Sequence, residues 1–238
     1  PPVCAGENVN LTADIAVIGP GTVTIGAGAL VTTTSDSYTG NNVSPFSHYY
    51  GGFKAQYLVK ASELQAANLM AGNLTSLALQ VTSAGSYHDN FAVSLAQTSL
   101  TSLSSSMVTT GLSTVYTNAS EIPVVGTNTY NFSTPFAWDG TSNILVQICW
   151  SDLDYGGDAS EVAYDNTSYV SESYYRTDNT AASTICSYSS TTGTTSSRPQ
   201  FVFGGTTNSS AATNYNWAWT WSGGSATGNT ISVQPQLT

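Results

Sequence analysis

The chain is poor in charge. Only 8% of its 238 residues are Asp, Glu, Lys or Arg, against about a quarter in ordinary soluble domains. Lys and Arg together number 4 against 14 Asp and Glu, a formal net charge of -10. No basic surface can therefore neutralise a phosphate backbone or an anionic membrane, which excludes nucleic acid as a partner. Histidine occurs twice, at His48 and His88, and neither a G-x-S-x-G elbow nor an H-E-x-x-H pair is present. The familiar hydrolase signatures are thus missing, and the many serines are a feature of composition rather than nucleophiles. No run of about 18 apolar residues occurs, so there is no membrane-spanning helix. Pro1 and Pro2 do not open a signal peptide, so the chain reads as a mature or excised piece of something longer.

Cysteine is scarce too. Cys4, Cys149 and Cys186 lie too far apart in sequence for a zinc pattern or a redox pair. In an exported protein Cys149 and Cys186 are expected to form a disulfide, with Cys4 left over. The alternative is three buried free thiols, since Cys serves as a small hydrophobe.

What the chain does have is apolar and aromatic residues, 40% and 11% of the total, enough to fill a core. Thr, Tyr, Val and Trp favour strands, and Gly, Asn and Ser favour the bends between them. The organising stretch is Phe136 to Trp150. Asp139-Gly140 is a turn pair, and Ile144 to Trp150 is apolar except for Gln147, which predicts a central strand covered on both faces. The acidic loop Ser151 to Asp165 follows directly.

Around this strand the pattern predicts many short strands: Val9 to Ala13, a break at Gly19-Pro20-Gly21, then Leu74 to Thr82, Phe91 to Thr98, Ser113 to Tyr116, Thr127 to Phe132, a Tyr-rich pair within Tyr164 to Tyr175, and Arg198 to Phe203. Cys186 falls in the strand-like STICSYS. One short helix is expected over Lys60 to Gly72, with Ser62 and Gln65 as a capping box and Gly72 as its left-handed end. The fold class is all-β, a sandwich or jelly roll. A Ser, Thr and Asn linker, Thr206 to Thr213, precedes an aromatic stripe of Tyr215, Trp217, Trp219 and Trp221, expected to pack as core or against a neighbouring module.

Three groups of residues are candidates for function. Asp152, Asp154, Asp158 and Glu161 offer hard oxygens suited to calcium, although the spacing departs from an EF-hand because Gly156 and Ala163 fall on ligand positions. The loop is either an irregular calcium site or plainly solvated, and because the nearby side chains offer hard oxygens and no imidazole a transition metal is not expected. Tyr49, Tyr50, Tyr155 and Tyr174 are candidates for stacking on sugar rings, the other reading being core. A two-carboxylate glycosidase is a third reading, which needs paired acids in a cleft.

The motifs SHYYGGFKAQYL (Ser47 to Leu58), SELQAANLMAGNLTSLALQV (Ser62 to Val81), TPFAWDGTSNILVQICW (Thr134 to Trp150) and SSRPQFVF (Ser196 to Phe203) resemble a module of large secreted surface proteins of the Bacteroidota. The flanks Val3 to Ala13 and Tyr215 to Pro235 resemble the two ends of an immunoglobulin-like or PKD-like repeat from the same proteins. The resemblance implies a jelly-roll-like sandwich, residues 20–205, inserted in an immunoglobulin-like sandwich formed by 1–19 and 206–238. It implies an extracellular, non-catalytic adhesion or filament module whose partners are neighbouring modules or subunits. A carbohydrate-binding module for surface glycans, calcium-dependent or not, is the alternative. The immunoglobulin-like part holds too few strands to close, so the remainder is expected from a longer polypeptide or a neighbouring subunit.

Overall fold

The structure is a computed structural model that describes residues 8–13, 16–31, 44–153, 157–210, 217–221 and 224–233. Cys4, Asp154, Tyr155 and Tyr215 lie outside them. The chain divides into two compact units, Pro20–Thr207, and Pro1–Gly19 with Asn208–Thr238.

The larger unit is an all-β sandwich. Its strands are β2 (Ala16–Ile25), β3 (Leu30–Val31), β4 (Gly52–Val59), β5 (Gly72–Ser83), β6 (His88–Thr98), β7 (Ser113–Glu121), β8 (Gly126–Trp138), β9 (Asn143–Ser151), β10 (Glu161–Asn166), β11 (Glu172–Thr177), β12 (Gly193–Thr195), β13 (Ser197–Pro199) and β14 (Phe201–Ser210), after β1 (Val9–Thr12) of the smaller unit. One sheet contains the order β2-β14-β5-β8 and the other β4-β9-β6-β7, the two four-stranded sheets of a jelly roll. Strands β10 to β13 are additions to this frame: β10 and β13 extend the first sheet, β11 and β12 the second. The pairings with a resolved register are all antiparallel.

The core between the sheets is aromatic and branched. Phe53, Tyr57, Val146, Ile148 and Trp150 face Leu77, Leu79, Val81, Phe201 and Phe203, all in one cluster of buried side chains. β9 lies between β4 and β6, and Ile144 to Ser151 are buried without interruption, as expected of a central strand. Its outer face is covered as well. Leu58, Ala96 and Leu145 form a second apolar cluster with Leu103, against which Val108, Leu112 and Val170 pack. Among these apolar groups, Gln56 donates to Val108 O and to Gln147 Oε1, and accepts from Val108 N–H. Lys54 donates to Tyr188 O at 2.7 Å. The buried polar groups of the outer face are thus bonded to the loops that cover it.

Cys149, on that outer face, is disulfide-bonded to Cys186. Cys186 does not sit in a strand. It caps a second short helix, α2 (Ala182–Ile185), where Ile185 is fully buried, so tertiary packing has overridden the strand-like sequence. The first helix, α1, is shorter than expected, Ala61–Ala66. Its entry is held by Glu63, which accepts from Lys60 N–H at 2.8 Å, and not by Ser62 and Gln65. It ends in a Schellman motif at Asn68 (φ 66), where Leu69 N–H donates to Leu64 O. Gly72 instead opens β5. Arg198, almost wholly buried, ties this helix down through two bonds to Glu63 and one to Leu58 O. A strand also runs through the expected break: β2 continues across Gly19-Pro20-Gly21, which an edge position allows because proline there forfeits no ladder bond.

In the smaller unit β1 pairs antiparallel with β17 (Thr230–Val233), Leu11 opposite Ile231. β15 (Ala218–Trp221) and β16 (Gly224–Thr227) form a hairpin. Trp219 donates its indole N–H to Gly228 O at 2.7 Å. The aromatic stripe is not packed throughout as core: Trp217 and Trp219 are half-buried and Trp221 is exposed.

Two predictions follow from the outer face. The disulfide closes a loop of 37 residues in sequence, so the double variant Cys149→Ala/Cys186→Ala is expected to lose about 3 to 4 kcal/mol of unfolding free energy in urea. Burial pushes the Lys54 ammonium from 10.5 down to about 8. Between those values the unfolded chain holds the proton that the folded chain has released, so stability rises with pH there, and the full penalty applies below 8. Relative to Lys54→Met, the native protein should gain about 3 kcal/mol across this window, at about 1.4 kcal/mol per pH unit. A difference that stays flat from pH 8 to 10.5 would refute the desolvation of Lys54.

Candidate functional site

The acidic loop is a crossover. β9 ends at Ser151 in one sheet and β10 begins at Glu161 in the other, so Asp152 and Glu161 are divided between two layers. Asp152 stays with β9, where its N–H donates to Gly51 O at 2.7 Å. Asp158 is exposed, and its backbone is paired with Ser86, donating to Ser86 Oγ and accepting from Ser86 N–H. Glu161 is paired with Ser83 of β5. Asp165, at the far end, accepts from Ala27 N–H and Gly28 N–H and holds a turn. Asp152, Asp158 and Glu161 do not form a three-ligand group.

Asp152 meets two imidazoles instead. Among the described residues, the metal-competent group of three is His48, His88 and Asp152, with one ligand atom from each lying within 4.8 Å of the others. The expectation that no imidazole stands near this acid is therefore corrected. The reason is topological: His48 lies just before β4, His88 begins β6 and Asp152 follows β9, and these are adjacent strands whose ends coincide. Sequence reading missed both histidines because they are 40 residues apart and 64 or more from Asp152. The available signal was that the only two histidines of the chain each adjoin an aromatic residue, Tyr49 and Tyr87.

The supports of the cluster are specific. Trp150 donates its indole N–H to Pro45 O at 2.9 Å, which fixes the turn at Ser44 to Ser47 that delivers His48. The His48 ring stacks on Trp150 at 5.4 Å between centroids, and the His88 ring sits 4.4 Å from the same indole. Phe46 covers His88 from another side at 5.4 Å. His48 Nε2 hydrogen-bonds Asp152 Oδ2, and Asp152 Oδ1 accepts from Asp89 N–H. Both nitrogens of His88 and Nδ1 of His48 are buried without a hydrogen-bond partner. Burial, followed by the neighbouring His48, pushes the His88 imidazole down from 6.5 to about 3, so it is neutral at ordinary pH and its lone pair is available.

Around the buried cluster the chain turns outward. Tyr49, Tyr87 and Leu153, each next in sequence to a cluster residue, are 57%, 53% and 51% exposed. Leu153 has φ 64, a left-handed conformation that a leucine seldom adopts. Of the proposed sugar-stacking residues, Tyr49 is exposed and meets the half-buried Tyr50 edge to face at 5.2 Å. Tyr174 is a core residue, stacked on Phe53. Arg176 lies over the rings of both Tyr50 and Tyr174, at 5.3 and 5.1 Å. Tyr174 therefore offers no free face to a ligand.

No family model and no curated protein matches the chain. Among solved structures, the chain is similar to the crystal structure of the cysteine protease and lectin-like domains of Cwp84, a surface layer associated protein of Clostridium difficile. The identity is 8% and the TM-score 0.36, over 67% of this chain and 32% of that one.

The backbone at Gly157 leaves no room on the Nδ1 side of His48. A Cβ added at Gly157 would lie 2.1 Å from His48 Nδ1. Gly157→Ala should therefore displace the ring from Trp150 and cost about 1 to 3 kcal/mol in urea unfolding, with a change in Trp fluorescence of the folded state. Unchanged stability and fluorescence would contradict this packing.

Proposed function

We propose that the chain is an extracellular, non-catalytic adhesion module of a larger surface protein, with neighbouring modules or subunits as its structural partners. The observation that carries this reading is the Cys149–Cys186 disulfide, which joins the central strand to the loop covering it. Disulfides of this kind persist in oxidising compartments. The sparsely charged surface and the jelly-roll frame support the same reading, as does a candidate cluster with its side chains buried rather than lining a cleft. Among the described residues no helix is long and apolar enough to cross a membrane.

A second reading, binding of surface glycans, is favoured by one observation: Tyr49 and Tyr87 present exposed rings beside the cluster. Flat aromatic faces with a hydrogen-bonding surround suit pyranose rings. The experiment is to display the chain on a non-adherent bacterium and count cells retained on immobilised mixed glycans and on surfaces coated with the chain itself. Retention is expected to rise several-fold over cells without the chain. Loss of glycan retention in Tyr49→Ala/Tyr87→Ala would support the rim as the contact. No gain on either surface, or hydrolysis of the coating, would overturn the proposal.

A further inference from the structure

We propose that His48, His88 and Asp152 form a binding site for a divalent transition cation of zinc type, which pins together the ends of β4, β6 and β9. The inference goes beyond adhesion and does not depend on it.

Three observations lead there. The first is the donor set: two imidazole nitrogens and one carboxylate oxygen within 4.8 Å of one another. Two imidazoles and a carboxylate suit zinc and its neighbours, whereas calcium selects oxygen ligands in larger number. The second is the unpartnered nitrogen. His88 is fully buried, with neither ring nitrogen hydrogen-bonded. Such a group carries its whole desolvation cost, and a cation that accepts its lone pair removes the share belonging to that nitrogen. The third is the shell. Asp152 Oδ1 is held by Asp89 N–H, leaving Oδ2 for the cluster, and both rings are oriented by Trp150. Metal-ligating side chains are commonly held in place by such outer contacts.

The required movement is small. Ligands about 2.0 Å from a tetrahedral zinc ion lie about 3.3 Å apart, so His48 Nε2 and Asp152 Oδ2, now in direct hydrogen bond, must part slightly, and ligand atoms spread within 4.8 Å must close by at most about 1.5 Å. Asp152 Oδ2 accepts from His48 Nε2, so ligation through Nε2 requires that proton to leave to solvent, the neutral ring then holding its proton on Nδ1. Neutral imidazoles and an ionised carboxylate are the ligating forms. Three protein ligands leave one coordination position for water or an exogenous group.

The test uses the whole oxidised chain, without a histidine tag and with Cys4→Ser to remove the third cysteine as a competing ligand. After treatment with chelator, Zn2+ alone is titrated by calorimetry and equilibrium dialysis, in parallel with Ca2+. One equivalent of Zn2+ is expected. At a hundredfold excess over Kd it should raise Tm by about 5 °C or more, and Ca2+ at the same concentration should not. Co2+ in place of Zn2+ should give the visible absorption bands of a low-symmetry site and quench part of the Trp fluorescence, since Trp150 touches both rings. Asp152→Asn and His48→Gln should each weaken Zn2+ binding at least tenfold. Their folding without metal is checked by circular dichroism, and the Co2+ spectrum reads the site independently of stability. No stoichiometric Zn2+ binding by the unmutated chain, undiminished binding in the two folded variants, or a preference for Ca2+ would overturn the proposal.

Discussion

Strand β9 must be dry on both faces, and much of the structure answers that constraint. One face is supplied with partners by the jelly roll itself, because the facing sheet brings Leu79, Phe201 and Phe203 to Val146, Ile148 and Trp150. The other face would meet water in a plain sandwich, where an antiparallel sheet alternates apolar and polar residues. Here that face carries Leu145, Gln147 and Cys149, and the connections after β6 and β11 are laid across it. Covering a sheet with loops brings polar backbone into an apolar setting, which is tolerable only where each group finds a bond. Gln56 and Lys54 supply them, and the disulfide holds one of the covering segments in place.

The same constraint fixes where chemistry can occur. A strand sealed on both faces can present a polar group only at its end, and the end of β9 delivers Asp152. Adjacent strands in register deliver His48 and His88 to the same level. Trp150, the last large residue of the sealed core, then acts as the floor of the cluster. Asp158 and Glu161 do not join it, because the chain leaves for the opposite sheet, where Glu161 enters β10 and the Asp158 backbone is spent on Ser86.

The sandwich was legible in the sequence to a large extent, for physical reasons. Uninterrupted burial from Ile144 to Trp150 writes itself as an apolar run, and alternation marks Leu77, Leu79 and Val81. Asp139-Gly140 is a turn because Gly140 takes φ 82 and Asp139 accepts from Thr141 N–H and Ser142 N–H. What was not legible was set by contacts between distant segments. Cys186 caps a helix because Ile185 packs inward, which no local preference of STICSYS encodes. Glu63 displaced Ser62 and Gln65 as the capping group because Arg198, 135 residues away, holds it in place. Tyr174 is core and Tyr49 is surface although both occur in Tyr-rich stretches, because Tyr174 lies on the inner face of β11 whereas Tyr49 lies in the turn before β4. His48, His88 and Asp152 come together through the order of strands in the sheet, which composition and spacing do not carry.

Burial and exposure alternate closely at this end of the sheet. His48, His88 and Asp152 point inward while their neighbours Tyr49, Tyr87 and Leu153 point outward, so the backbone that orients the cluster also orients the surface rim. A side chain at the start or end of a strand has less ladder to hold it than one in the middle, and the left-handed backbone at Leu153 has to be maintained against its own preference. The bonds of Asp152 to Gly51 O, His48 and Asp89 N–H provide that restraint on three sides. The exposed rings of Tyr49 and Tyr87 are thereby given a defined position. On the proposed glycan-binding reading, a rim held in this way would have less ordering left to lose than free loops, which is where preorganised sites gain affinity.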